Sequence, residues 1–151
     1  MRAVRPVTGD PRPVTDSSTP PLVLYDGECG FCAGQVQFIL RHDRRRVLCF
    51  APLEGVTARG ILMRHPELAG VDSLVWVEHP GGSGERVRIR SAAVLAISSY
   101  LGGLWRLGRV GAIIPLGWRD ALYDVVARHR HRLAGVACVV PTPDEAARFL
   151  G

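Results

Sequence analysis

Two cysteines, Cys29 and Cys32, stand two residues apart just after the apolar run Leu22-Val23-Leu24-Tyr25 and the pair Asp26-Gly27. Two thiols at this spacing reach each other within one helical turn. If the first sits at a helix N-terminus, unpaired N–H groups and the helix dipole stabilise its anion. Its pKa then falls from ~8.5 toward ~7 or lower, and the thiolate is the attacking species. The second thiol lies on the buried side of the helix and attacks only after a mixed disulfide has formed. These roles make Cys29 the nucleophile and Cys32 the resolving thiol. Asp26 has two readings: it takes the resolving thiol's proton, or it forms a turn with Gly27, as Asp-Gly commonly does. Glu28 directly precedes Cys29 and opposes thiolate formation.

The same cysteines admit a second chemistry. A structural zinc site wants two such pairs, or one pair with two closely spaced histidines. The chain offers Cys49, Cys138 and scattered histidines, and no second pair. The alternative function is therefore a zinc or other metal-binding module, or an interaction module, held by Cys29, Cys32 and Cys138. The leading reading expects no metal and no cofactor. Cys49, among apolar neighbours, reads as a core residue. Cys138 reads either as a third redox thiol that accepts the disulfide from the first pair or as core filler.

The elements that must position the pair can be followed along the chain. Leu22–Tyr25 reads as a buried strand running into a tight turn. Cys32, Val36, Ile39 and Leu40 recur at helical spacing, and the helix ends in the basic run 41–46. Residues 47–51 read as a second buried strand stopped by Pro52, and 56–65 as a short helix. Residues 73–78 form a third strand, 79–84 a turn, and 86–90 a strand with one wet face. Ser91 is expected to cap a helix over about 92–101. The order β-α-β-α-β-β-α is that of a thioredoxin-like α/β core. Its first two strands should be parallel, joined by a right-handed crossover. Residues 103–151 read as a helical extension, with Trp118, Leu122, Val125, Val126, His129 and Leu133 as an apolar-leaning stripe packed on the core. Trp76, Trp105 and Trp118 read as core, with one or more of them also able to line a groove beside the cysteines.

The chain has 151 residues, 47% hydrophobic and 22% charged, which suits one globular domain and excludes a mainly disordered or collagen-like chain. Residues 1–20 are rich in Pro, Ser and Thr, carry Arg2, Arg5 and Arg12, and read as a disordered tail; 21–151 reads as a single domain, with its core at about 21–102. Four cysteines are too few for a disulfide scaffold. No apolar run near the start suits a secretory signal, and none elsewhere suits a membrane span. A cytoplasmic protein without membrane insertion is expected. The net charge of +5 comes with arginine alone, since the chain has no lysine. The basic segments 41–46 and 128–132 read as solvated helix ends rather than a nucleic-acid surface. His129 and His131, two apart on a helix, do not face one another as metal ligands.

The string Tyr25-Asp-Gly-Glu-Cys-Gly-Phe-Cys32 resembles the opening motif of the DCC-family thiol–disulfide oxidoreductases, a thioredoxin-like family. Phe50-Ala-Pro-Leu53 is similar to the family's second strand, and Ser91-Ala-Ala-Val-Leu95 to its segment after the hairpin. Ile114-Pro115, Arg119-Asp120 and Tyr123 are similar to its C-terminal helix entry. Arg128, Arg130 and Arg132 match its basic helix end, and Cys138 with Pro141 a late cysteine. The resemblance covers about residues 21–140. It implies a thioredoxin-like fold and protein-disulfide reductase chemistry at Cys29 and Cys32. The expected partners are a protein or small-molecule disulfide and an external thiol reductant. Thioredoxins in general place a cis-proline just before the third strand, facing the cysteines. Here that place holds Val71-Asp72-Ser73, with Pro66 too early and Pro80 too late.

Overall fold

In the computed structural model, which describes residues 19–133 and 140–151, the strand β1 (Leu22–Tyr25) leads through a turn into helix α1 (Gly30–His42). There follow β2 (Cys49–Pro52), α2 (Val56–Arg64), β3 (Val75–Glu78), β4 (Arg86–Ile89) and α3 (Arg90–Leu101). This is the expected succession. The four strands form one mixed sheet in the order β2-β1-β3-β4. β1 runs parallel to β2, with Val23 opposite Phe50, and antiparallel to β3, with Val23 opposite Trp76. β3 and β4 form an antiparallel hairpin.

The unbroken apolar run of β1 is explained by burial on both faces of the sheet. Successive strand side chains point to opposite sides. Val23 and Tyr25 join Val36, Ile39, Phe50, Trp76 and Ile97 in one core, filled by α1 and α3. Leu22 and Leu24 join Ala58, Ile61, Leu68, Val75 and Val77 in the other, filled by α2. β4 shows the predicted wet face: Arg86 and Arg88 are exposed, while Val87 and Ile89 turn inward.

The extension departs from a plain helical reading at both ends. A 3-10 segment, Gly103–Ile113, precedes α4 (Leu116–Leu133) and the short α5 (Pro143–Ala146). Beyond α5 the chain lies along the open edge of β2. Phe50 N–H donates to Arg148 O, and Leu150 N–H to Phe50 O, both at 2.8 Å, and the Phe50 and Phe149 rings stack. Asp43, which caps the C-terminus of α1, anchors this segment. Its buried carboxylate pairs with Arg148, accepts N–H groups of Arg45, Arg46 and Leu48, and accepts the Tyr100 hydroxyl at 3.0 Å.

Three expectations need correction. Ser91 does not cap α3. The helix starts two residues earlier than expected, at Arg90 after Ile89, and the Ser91 hydroxyl donates to the Asp120 carboxylate on α4. Cys49 is not a mid-strand core residue; it opens β2 and is half-buried. Of the three tryptophans only Trp76 is core. Trp105 is 38% exposed and Trp118 77%, and the α4 stripe containing Leu122 and Val125 is exposed as well. The helix rests on α1 and α3 without closing over its own apolar side chains. The expected tail lies mostly at residues 1–18, outside the described residues, as does Cys138.

Candidate active site

Cys29 is the N-cap of α1. Its backbone is extended (φ −88°, ψ 111°), its N–H donates to Asp26 O at 3.3 Å, and its carbonyl accepts Ala33 N–H at 3.0 Å. That places the first cysteine where the backbone changes from turn to helix. The leading N–H groups of a helix have no partner within it. No acidic side chain occupies the first turn. The turn itself is held by Asp26, whose Oδ1 accepts the Glu28 N–H at 2.9 Å. The turn-forming reading of Asp26 is thus visible in the structure. Glu28 points its residue surface to solvent and is exposed.

Cys32 sits one turn on, in the same core cluster as Tyr25, Val36 and Trp76. It is 3% exposed against 7% for Cys29, so both are buried and the second is the deeper. Both are free thiols. Burial first, then the hydrogen bond and charge of Cys29, push the Cys32 thiol up to about 12. A hydrogen bond with the Asp26 backbone works the other way, and the Asp26 carboxylate adds to the rise. The two sulfurs and Asp26 therefore form one electrostatic unit in which Cys32 keeps its proton. Among the described residues, no group of three or more His, Cys, Asp or Glu side chains is placed to hold a metal ion.

An apolar cavity of about 330 Å³ opens beside the pair, between α1, α3, the 3-10 segment and α4. Phe31 and Cys32 line it from α1, Val94 and Leu95 from α3, and Trp118 and Leu122 from α4. Ser73 lines it too, so the loop that carries a proline in general thioredoxins does face the cysteines here, with a serine. The expected groove tryptophan is Trp118. Two wall residues named from the sequence have a place in the groove that the sequence did not indicate. Ser91 holds α4 to α3 through Asp120. Arg119 brings a guanidinium to the wall, with its buried Nε–H finding no hydrogen-bond partner among the described residues. The signal for both was available only as helical spacing on either side of a loop of unknown course.

A relative from Bacillus subtilis (strain 168), the uncharacterized protein YuxK, is 30% identical over 132 residues, covering 85% of this chain and 93% of its own. A DCC family protein of Arabidopsis thaliana, described as chloroplastic, is 34% identical over 117 residues, covering 76% of this chain and 65% of its own. No solved structure matches the chain. No helix among the described residues is long and apolar enough to cross a membrane. The family model for DCC1-like thiol-disulfide oxidoreductases matches residues 23–136, from β1 through the cysteine turn and past α4, and the chain belongs to that family.

Proposed function

We propose that the protein reduces disulfides of a protein or small-molecule substrate through Cys29 and Cys32. The observation that carries the reading is the asymmetry of the pair: Cys29 stands at the N-cap of α1, while Cys32 lies deeper with its proton held. In the proposed cycle the Cys29 thiolate attacks one substrate sulfur. The S–S bond breaks, a Cys29–substrate disulfide forms, and the other sulfur leaves with a proton from solvent. Cys32 then loses its proton to the Asp26 carboxylate and attacks the Cys29 sulfur. This releases the second substrate sulfur, which takes the proton from Asp26 and leaves as a thiol, and forms a Cys29–Cys32 disulfide. An external dithiol, or two monothiols, returns two electrons to the pair and one proton to Cys32, and leaves as its own disulfide. The substrate's apolar flank lies in the groove beside Cys32. A pair that must cycle between dithiol and disulfide, in a chain with four cysteines in all, suits a compartment that keeps thiols reduced, and we assign the protein to the cytoplasm.

The test is turnover of a disulfide substrate with a thiol reductant. Cys29→Ser should abolish it, and full activity in that variant would sink the mechanism. Cys32→Ser should accumulate a covalent mixed disulfide that reducing agent releases. The zinc alternative needs further ligands beside the pair; it would be favoured by stoichiometric zinc in protein purified without chelator, with both thiols resistant to alkylation. Cys138 as a third redox thiol predicts a disulfide that migrates to it in partly oxidised protein, detectable by peptide mapping.

A further inference from the structure

The 3-10 segment Gly103–Ile113 has a geometry that sorts its side chains into three rows. At 3.0 residues per turn, positions three apart eclipse one another. One row, Trp105, Gly108 and Gly111, faces the protein. The Trp105 ring meets Phe38 at 5.0 Å and His42 at 5.1 Å on α1. A Cβ at Gly108 would lie 3.1 Å from Ser98, and one at Gly111 would lie 3.7 Å from Leu95, both on α3. Gly108 is what allows this close seat, while Gly111 leaves room for ordinary contact. A second row consists of Leu104, Leu107, Val110 and Ile113. All four are exposed, at 76%, 62%, 59% and 81%. At a rise of ~2.0 Å per residue, this aliphatic ridge is ~18 Å long. The third row starts at Gly103 and carries the exposed Arg106. Just past the segment, Leu116 and Trp118 are exposed at 57% and 77%.

Charge says what such a ridge can meet. Between Glu85 and Asp120 the sequence has no acidic residue, and it has Arg86, Arg88, Arg90, Arg106, Arg109 and Arg119. An aliphatic ridge with the exposed Arg106 on the same segment, in a chain of net charge +5, has the composition of an element lying in a membrane interface. A second copy of the chain carries the same net charge of +5, which opposes self-association where it favours an anionic surface. We propose that the ridge Leu104–Leu107–Val110–Ile113 docks the protein on an anionic lipid surface, lying on the bilayer without crossing it. Arg106 pairs with lipid phosphate while the ridge enters the acyl boundary.

The test is cosedimentation of the full chain with sucrose-loaded vesicles of phosphatidylcholine alone or phosphatidylcholine with one quarter phosphatidylglycerol. The wild type should partition at least about fivefold better onto the anionic vesicles, with the excess lost in high salt. The double variant Leu107→Gln, Ile113→Gln should lower partitioning at least about tenfold. Arg106→Gln should cost about fivefold on anionic vesicles and leave neutral ones unchanged. If melting shows the double variant misfolded, Leu104→Gln takes its place. Failure of the wild type to bind, or binding unaffected by the ridge substitutions, overturns the proposal. So does a wild-type dimer in sedimentation velocity that the same substitutions dissociate, because the ridge then belongs to a second copy. None of these residues lines the cysteine groove, so the disulfide-reductase assay reads independently of the lipid assay.

Discussion

The labelling rate of Cys32 gives the sharpest check on the electrostatics of the pair. Burial and its neighbour push this thiol up to about 12. At pH 7 an ordinary thiol of pKa ~8.5 is ~3% thiolate, whereas one at about 12 is only ~0.001% ionised, a ratio of ~3,000. The more basic sulfur is intrinsically the better nucleophile, and a Brønsted slope of ~0.45 returns a factor of ~40. Cys32 should therefore react with iodoacetamide ~80-fold more slowly than a free thiol such as glutathione, before any allowance for access. The assay is pulsed alkylation of the reduced protein, quenching, and mass mapping of the Cys32 peptide against glutathione in the same tube. The rate should still rise about tenfold per pH unit through pH 10, because the thiol stays mostly protonated there. In Cys29→Ala the hydrogen bond and charge that raise Cys32 are gone, so its labelling should accelerate, with burial alone holding it back. Labelling of wild-type Cys32 within about threefold of glutathione, or a plateau below pH 9, would refute the reasoning.

Other consequences are open to simpler measurements. Asp43→Ala leaves Arg148 without its partner and strips the acceptor from three backbone N–H groups, so chemical denaturation should show a loss of about 3 kcal/mol or more. Glu85 is held down at about 2 first by its hydrogen bonds from Arg64, with further help from the Gly81 N–H and His65. Its folded pKa lies below the unfolded value, so this stabilisation is present above pH ~4.5 and fades as pH falls toward 2. Arg64 is half-exposed, which limits the gain to about 1 kcal/mol, and Glu85→Gln should flatten the acid limb of the stability profile by that amount. Trp118→Ala, at an exposed groove position, should raise KM for a bulky apolar disulfide about tenfold and leave hydroxyethyl disulfide unaffected; equal effects on both would count against the groove as the substrate's seat.

What could be read from the chain beforehand divides along physical lines. The turn from β1 into α1 was legible because a buried parallel strand, an Asp-Gly turn and a helical apolar stripe adjoin without a gap. The cysteines fall at their junction. Residues 103–113 were legible only as helical. Their apolar side chains recur every three positions, a spacing shared by one face of an α-helix and by the 3-10 helix that forms. Ser91 precedes an alanine run and has a capping side chain, but its partner Asp120 is 29 residues away and nothing local announces it. The edge pairing of Phe149 was invisible for a related reason. Three residues are too few for a period, and what holds them is a buried carboxylate 105 positions upstream of Arg148. Trp118 was misplaced as core because its size argues for burial, whereas α4 meets α1 and α3 and leaves that ring at the lip of a groove.

The far-reaching partnership between β2 and the segment after α5 also sets a clock. A chain synthesised at ~5–20 residues per second would expose Phe50 for roughly 5–20 s before Arg148 and Phe149 follow it out of the ribosome. Through that interval the β2 edge presents unpaired backbone groups next to an apolar strand, the kind of template on which nascent chains stick to one another. Asp43, meanwhile, has no guanidinium opposite it. The core around the cysteines can assemble early from local contacts, but its protection from neighbouring chains arrives last. Yield during rapid synthesis should therefore be governed by how soon Arg148, Phe149 and Leu150 reach the sheet, rather than by the stability of the cysteine turn.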